Sequence, residues 1–141
     1  MRSILFCSIL AFALLSGSTG SGAQQKLLTI ELNRMQQSQN GCRLSFMAVN
    51  KMGTGLDKTA LEIVIFDADN IVSQMLLLDF GRLPNDKTKI VEFDLSLQCE
   101  QISRVLVNDI AECAGAEEQN LAEDCFNALR TLNRAEIEFG I

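Results

Sequence analysis

The sequence contains no histidine, no tryptophan and no tyrosine. Without histidine, neither a Ser–His nor a Cys–His nucleophile pair can be assembled. Zinc is poorly served as well. Apart from Cys7, the cysteines stand at 42, 99, 113 and 125, and the tightest spacing of 12 residues is too wide for the close pairs of a structural zinc site. Without Trp or Tyr, a sugar-stacking platform would rest on phenylalanine alone. Basic residues are scarce too, 12 against 18 acidic ones. Arg2 is the only charged residue before position 24, so residues 24–141 carry 11 basic and 18 acidic side chains, net −7. Binding to phosphate backbones releases counterions only where Lys and Arg cluster, which argues against a nucleic-acid groove. The same balance disfavours an anionic membrane surface, and the charge reads as a solubility device.

Long apolar runs are missing everywhere except at the start. Residues 4–15, "ILFCSILAFALL", form an apolar run of 12 interrupted only by Ser8. A helix of that length rises about 18 Å, too short for a hydrocarbon core of about 30 Å. Arg2 precedes the run, small residues follow it, and Ser21-Gly22-Ala23 fits a cleavage site. Residues 1–23 therefore read as a signal peptide, cut after Ala23. No Cys follows the small-residue stretch, so lipidation is not expected. Residues 24–141 then make a single domain, periplasmic or secreted, with no membrane span.

Behind a signal peptide, the even set Cys42, Cys99, Cys113 and Cys125 implies two disulfides. Three pairings are possible. Cys42–Cys99 with Cys113–Cys125 is favoured: Cys42 opens a strand, Cys99 lies in the turn before another, Cys113 ends a strand, and Cys125 faces along a helix stripe.

That scheme rests on the hydrophobic periods. Leu28, Ile30 and Leu32 alternate, as do Cys42, Leu44, Phe46 and Ala48, which leaves Arg43, Ser45, Met47 and Val49 on the opposite face. Residues 50–58 read as a loop, with Gly53 and Gly55 and several charges. Residues 60–67 are rich in β-branched side chains. "DADN", residues 67–70, is turn chemistry, and a strand over 71–79 completes a hairpin. Further strands are expected over 89–95 and 102–110, with a short one near 136–141. The expected fold is mainly β: an immunoglobulin-like antiparallel β-sandwich of six to seven short strands with one C-terminal helix. That helix, about 120–133, follows from Leu121, Cys125, Leu129 and Leu132 on one face, an Asn120 cap with Glu123 as its box partner, and Arg130 and Arg134 near the end. The acids Glu118, Glu123 and Asp124 read as a solvated helix start rather than a metal site.

Asp79-Phe80-Gly81 spells the magnesium-binding triplet of kinases. The chain lacks the Gly-rich loop, the strand lysine and the catalytic Asp and Asn that the chemistry also needs, so Phe80 reads as core and Gly81 as a turn. Asp67 and Asp69 are the nearest approach to a carboxylate pair, but a hairpin tip offers little burial for tuning. A calcium loop there fails because Ile71 falls where a third ligand should be. More informative are Met75, Leu76, Leu77 and Leu78, apolar on both faces of their strand, as are residues 63–66 and 105–107. A sheet with one wet face should alternate. Either the C-terminal helix folds back over the second face, which is the plainer expectation, or a partner protein binds Met75, Leu76, Leu77 and Leu78.

"IVIFDADNIV" resembles the motif of FxLYD domains, small extracytoplasmic β-sandwiches. Ile63 stands for the Phe, Ile65 for the Leu, Phe66 for the Tyr and Asp67 for the Asp, with Asp69-Asn70 at the turn. "GRLPNDKTKIVEFDL" resembles the turn and strand that follow, so the likeness runs over about 42–107. The chain departs from the pattern in its Leu-rich strand, its four cysteines and its C-terminal helix. More broadly it resembles secreted proteins of alphaproteobacteria that end in a Cys-bearing helix and a short strand. The resemblance implies an extracytoplasmic immunoglobulin-like fold with a binding or accessory role, and it offers no catalytic residues. The functional expectation is a non-catalytic binding or accessory domain without cofactor or metal. A structural subunit of a cell-envelope assembly is the alternative, and a carboxylate- or metal-dependent enzyme a more distant one.

Overall fold

The computed structural model describes residues 22–141; the expected signal peptide lies almost wholly outside the described residues. Eight strands form two sheets. They are β1 (Leu27–Ser38), β2 (Gly41–Lys51), β3 (Lys58–Phe66), β4 (Val72–Asp79), β5 (Thr88–Leu95), β6 (Arg104–Ala114), β7 (Leu129–Asn133) and β8 (Glu138–Gly140). One helix, α1 (Ala122–Asn127), precedes β7. The strand orders are β5-β2-β1-β7 and β4-β3-β6-β8. The result is the mainly-β sandwich that the alternating periods require.

Only β1–β2 and β3–β4 are hairpins; each remaining connection crosses from one sheet to the other. The crossings bring the inner faces together. Leu28, Ile30, Leu32, Leu44, Phe46 and Ala48 of the first sheet meet Leu61, Ile63, Ile65, Val105 and Val107 of the second, all buried. Phe46 lies edge-on to Phe80, Phe93 and Phe139, with ring centroids 5.6 to 6.0 Å apart, a geometry that aromatic quadrupoles favour. Phe80, the middle residue of the kinase-like triplet, is therefore core. Gly81 follows at φ 63°, and its amide donates to the Asp79 carboxylate at 2.7 Å.

Three expectations need correction. The first is the helix. It covers Ala122–Asn127 rather than about 120–133, because Leu129–Asn133 is strand β7, laid parallel on the free edge of β1. The Leu28 amide donates to the Ala128 carbonyl at 2.9 Å, so edge pairing takes the backbone bonds that a longer helix would have used. Asn120 still serves the helix start, accepting the Ala122 amide at 3.0 Å, but Leu121 occupies the cap position and no capping box with Glu123 forms. Second, the sandwich is not purely antiparallel: β7 on β1 and β8 on β6 are parallel pairs. Third, residues 50–58 are more than a surface loop. Met52 and Leu56 are buried, and Leu56 bridges Leu83. Buried Asn50 organises them: its Nδ2 donates to the Thr54 and Leu83 carbonyls at 2.9 and 2.8 Å, and its Oδ1 accepts the Met52 amide at 2.9 Å.

Both favoured disulfides are present, Cys42–Cys99 and Cys113–Cys125. The first ties β2 to the 3-10 turn Cys99–Gln101 of the β5–β6 crossing. The second fastens α1 to the end of β6. Such bonds persist in oxidising, extracytoplasmic environments.

Candidate functional site

The β3–β4 hairpin is closed by its own turn residues. The Asp67 carboxylate accepts the amides of Asp69 at 3.0 Å and Ile71 at 2.9 Å, and the Asp67 amide donates to the Ile71 carbonyl at 2.9 Å. Asn70 takes φ 60°, which Asn tolerates. Asp67 is thus occupied in holding the turn, one carboxylate oxygen accepting both amides.

Beyond the turn the register fixes which side chains share the outer face. Val64 lies opposite Met75 on β4 and Leu106 on β6; Phe66 lies opposite Val72 and Arg104. Val64 is only 5% exposed although it points away from the core, because its neighbours close around it. The Arg104 guanidinium sits 5.3 Å from the Phe66 ring centroid and reaches Glu138 at 3.7 Å. At the next rung Glu62 lies beside Leu77 and accepts from Asn108 at 2.6 Å. The outcome is an apolar row bounded by polar groups. Met75 is 58% exposed and Leu77 63%, with Ile71 and Val72 similarly open. Of eight large apolar side chains exposed among the described residues, these four belong to one hairpin, which makes them a patch rather than scatter.

The four residues expected to form a partner surface therefore divide. Met75 and Leu77 point outward. Leu78 is buried in the core, and Leu76 packs partly buried against it. The helix does not cover this face. It packs against the end of β6, where Cys125 joins Cys113; Leu129 and Leu132 lie on β7 in the other sheet. The expected intramolecular cover is thus overturned: α1 has six residues and spends its one buried side chain, Cys125, on the disulfide. Val64, Phe66, Val72 and Leu106 were not anticipated as part of the patch. Their signal was the same loss of alternation in β3 and β6, but only the pairing register shows that they adjoin Met75.

Elsewhere the exposed large apolar side chains, Ile90, Phe126, Leu132 and Ile141, belong to four different segments, and ion pairs stand among them. On the first sheet's outer face, Arg43 grips Asp94 with two bonds, Nε–Oδ1 2.7 Å and Nη2–Oδ2 3.0 Å. The hydrogen bond from Arg43, aided by its charge, holds the Asp94 carboxyl below its usual range, and Asp94 in turn raises Arg43. The acidic residues near α1 pair singly, Glu118 with Lys58 and Asp124 with Lys26, each at 3.4 Å. Among the described residues no three Cys, Asp or Glu side chains converge as a metal site, and no helix is long and apolar enough to cross a membrane. A shallow groove of about 660 Å³ runs between Arg34, Met35, Glu100, Ile102, Arg134 and Ile137. No family model, curated protein or solved structure matches the chain.

Proposed function

We propose that this protein is a non-catalytic binding or accessory domain of the periplasm or the extracellular medium, and that it engages a protein through the outer face of β3, β4 and β6. The observation that carries the reading is the concentration of exposed Ile71, Val72, Met75 and Leu77 on one hairpin, half of the eight large apolar side chains exposed among the described residues. Contiguous exposed apolar area of this kind marks interaction sites. Support for a non-catalytic role comes from the residue inventory: without His, no Ser–His or Cys–His nucleophile pair can form, and general acid–base work would fall to carboxylates and lysines. Asp67 has its carboxylate engaged by backbone amides, and Asp94 is paired with Arg43. The two disulfides and the resemblance to FxLYD domains support the extracytoplasmic setting.

The test is native capture from the envelope or medium with the wild type beside Met75→Lys and Leu77→Lys. A binding protein retained by the wild type and lost by both variants, with unchanged circular dichroism, is the expected result. Equal retention by all three would refute the assignment of this face.

A further inference from the structure

The β4 strand also forms one edge of its sheet, and its backbone asks for a specific kind of partner. The Phe80 amide donates to the Thr59 carbonyl at 2.8 Å. Carried along the register, this makes Leu78, Leu76 and Gln74 the residues bonded to β3. The amides and carbonyls of Leu77 and Met75 then point off the free edge. Such groups are satisfied by another extended strand.

Sheet edges are normally guarded by charge, brevity or distortion. The other edges here follow that rule. β5 carries Lys89, Glu92 and Asp94; β7 has five residues and carries Arg130; β8 has three and carries Glu138. β4 has eight residues and no charge before its last, Asp79. In a chain of net charge −7 over residues 24–141, an uncharged stretch of edge is where a like molecule meets the least local repulsion.

We infer that β4 pairs antiparallel with β4 of a second copy, on a two-fold axis through Leu76. This deepens the binding reading above and rests on it. The register follows from the strand itself. At one end the pairing with β3 skips Ser73, a bulge between Val72 and Gln74; at the other stands Asp79. The regular stretch between, residues 74–78, is centred on Leu76. In that register Met75 lies opposite Leu77 of the second copy and Leu77 opposite its Met75, exchanging backbone bonds. Ser73 lies opposite Asp79, which gives the carboxylate a hydroxyl neighbour. Moving the axis to Leu77 would set Asp79 against Met75. Moving it to Met75 would set Leu77 against Ser73. Among the outward-pointing residues Ser73, Met75, Leu77 and Asp79, only the Leu76 register matches apolar to apolar and polar to polar; on the inner side it sets Gln74 beside Leu78. The two outer faces become continuous, joining the Val64–Met75 rows of both copies across the axis.

An edge of this length buries less than the roughly 800 Å² per partner of a standard interface, so a reversible dimer is expected. Sedimentation equilibrium of the full chain, produced under oxidising conditions, should show a concentration-dependent shift from monomer to dimer below about millimolar, where association is worth only about 4 kcal/mol. Leu77→Lys should weaken it at least about tenfold, by setting a charge against Met75 of the second copy and two like charges diagonally across the axis. Ile90→Lys, at a similarly exposed site on β5, should leave it unchanged. Leu76→Cys should cross-link two chains through residue 76, since non-hydrogen-bonded antiparallel partners lie about 4.5 Å apart at Cα. A wild type that stays monomeric at about millimolar concentration overturns the inference, as does a dimer indifferent to Leu77→Lys. If the wild type is monomeric while native capture still depends on Leu77, self-pairing fails and the binding reading stands; if neither depends on Leu77, both fall.

Discussion

Arg134 lies across Glu31, its Nε 3.0 Å from Oε1 of a side chain that is only 4% exposed. Asn33 donates to the same oxygen at 2.7 Å, and the Arg134 amide donates to the Leu32 carbonyl at 2.9 Å, which seats the arginine on β1. Glu31 stands between Met47 of β2 and Leu132 of β7, so removing the cation strands a carboxylate among apolar neighbours. Arg134→Met should cost about 1–3 kcal/mol, less than a fully buried pair because the arginine itself is largely exposed. A double-mutant cycle with Glu31→Gln, read by urea unfolding, should return a coupling of about 1 kcal/mol or more. Additive single effects would show that the two residues act independently.

Thr59 is fully buried, and its Oγ1 has no hydrogen-bond partner. A hydroxyl that leaves water without compensation opposes folding. Thr59→Val keeps the branched shape and removes the oxygen. It should raise stability by about 1 kcal/mol, seen as a higher melting midpoint; a lower midpoint would mean that the hydroxyl has a partner in solution.

The disulfides should differ in weight. In the chain-entropy model, Cys42–Cys99, spanning 57 residues, contributes about 4 kcal/mol, and Cys113–Cys125, spanning 12, about 3 kcal/mol. The second also has a local consequence. A six-residue helix is too short to persist alone. Replacing Cys113 and Cys125 by Ala should therefore raise amide exchange across Ala122–Asn127 well before β1 and β2 lose protection. Uniform loss of protection would show that the staple and the core open as one unit.

The Arg43–Asp94 pair sets a pH dependence of known sign. Because Asp94 has its folded pKa lowered, chiefly by the hydrogen bond from Arg43, its contribution is present above the ordinary carboxylate value and fades as pH falls through the depressed one. Carboxyl resonances followed by NMR should give Asp94 a midpoint below the ordinary Asp value of about 3.9. Arg43→Gln should return it upward. An Asp94 midpoint unmoved by that substitution would place the cause elsewhere.

The β-sandwich was legible because strands with one buried face must alternate. Leu28, Ile30 and Leu32, then Cys42, Leu44, Phe46 and Ala48, lie inward as that rule demands. Turn chemistry was legible at Asp67 and Asn70, where the side chain and its own backbone suffice. The favoured pairing of the cysteines rested on Cys42 and Cys113 at strand ends, Cys99 in a turn and Cys125 on a helix stripe, and both bonds are present. The chain from Leu121 to Leu132 misled for an equally physical reason. Leu121, Cys125, Leu129 and Leu132 do recur at helical spacing, but Leu129 and Leu132 sit on opposite faces of β7.

Local rules, then, determined what each segment could become: strand, turn, half-cystine at an edge. Only the tertiary structure decided which edges met. β7 is strand because β1, about a hundred residues earlier, offers unpaired backbone groups that only an extended segment can satisfy. The apolar residues of β4 divide into core and surface because the strand's pairing with β3 turns Leu78 inward and leaves Met75 and Leu77 outside. Neither outcome is encoded within one segment, since hydrogen-bond partners and burial are properties of two chain regions brought together.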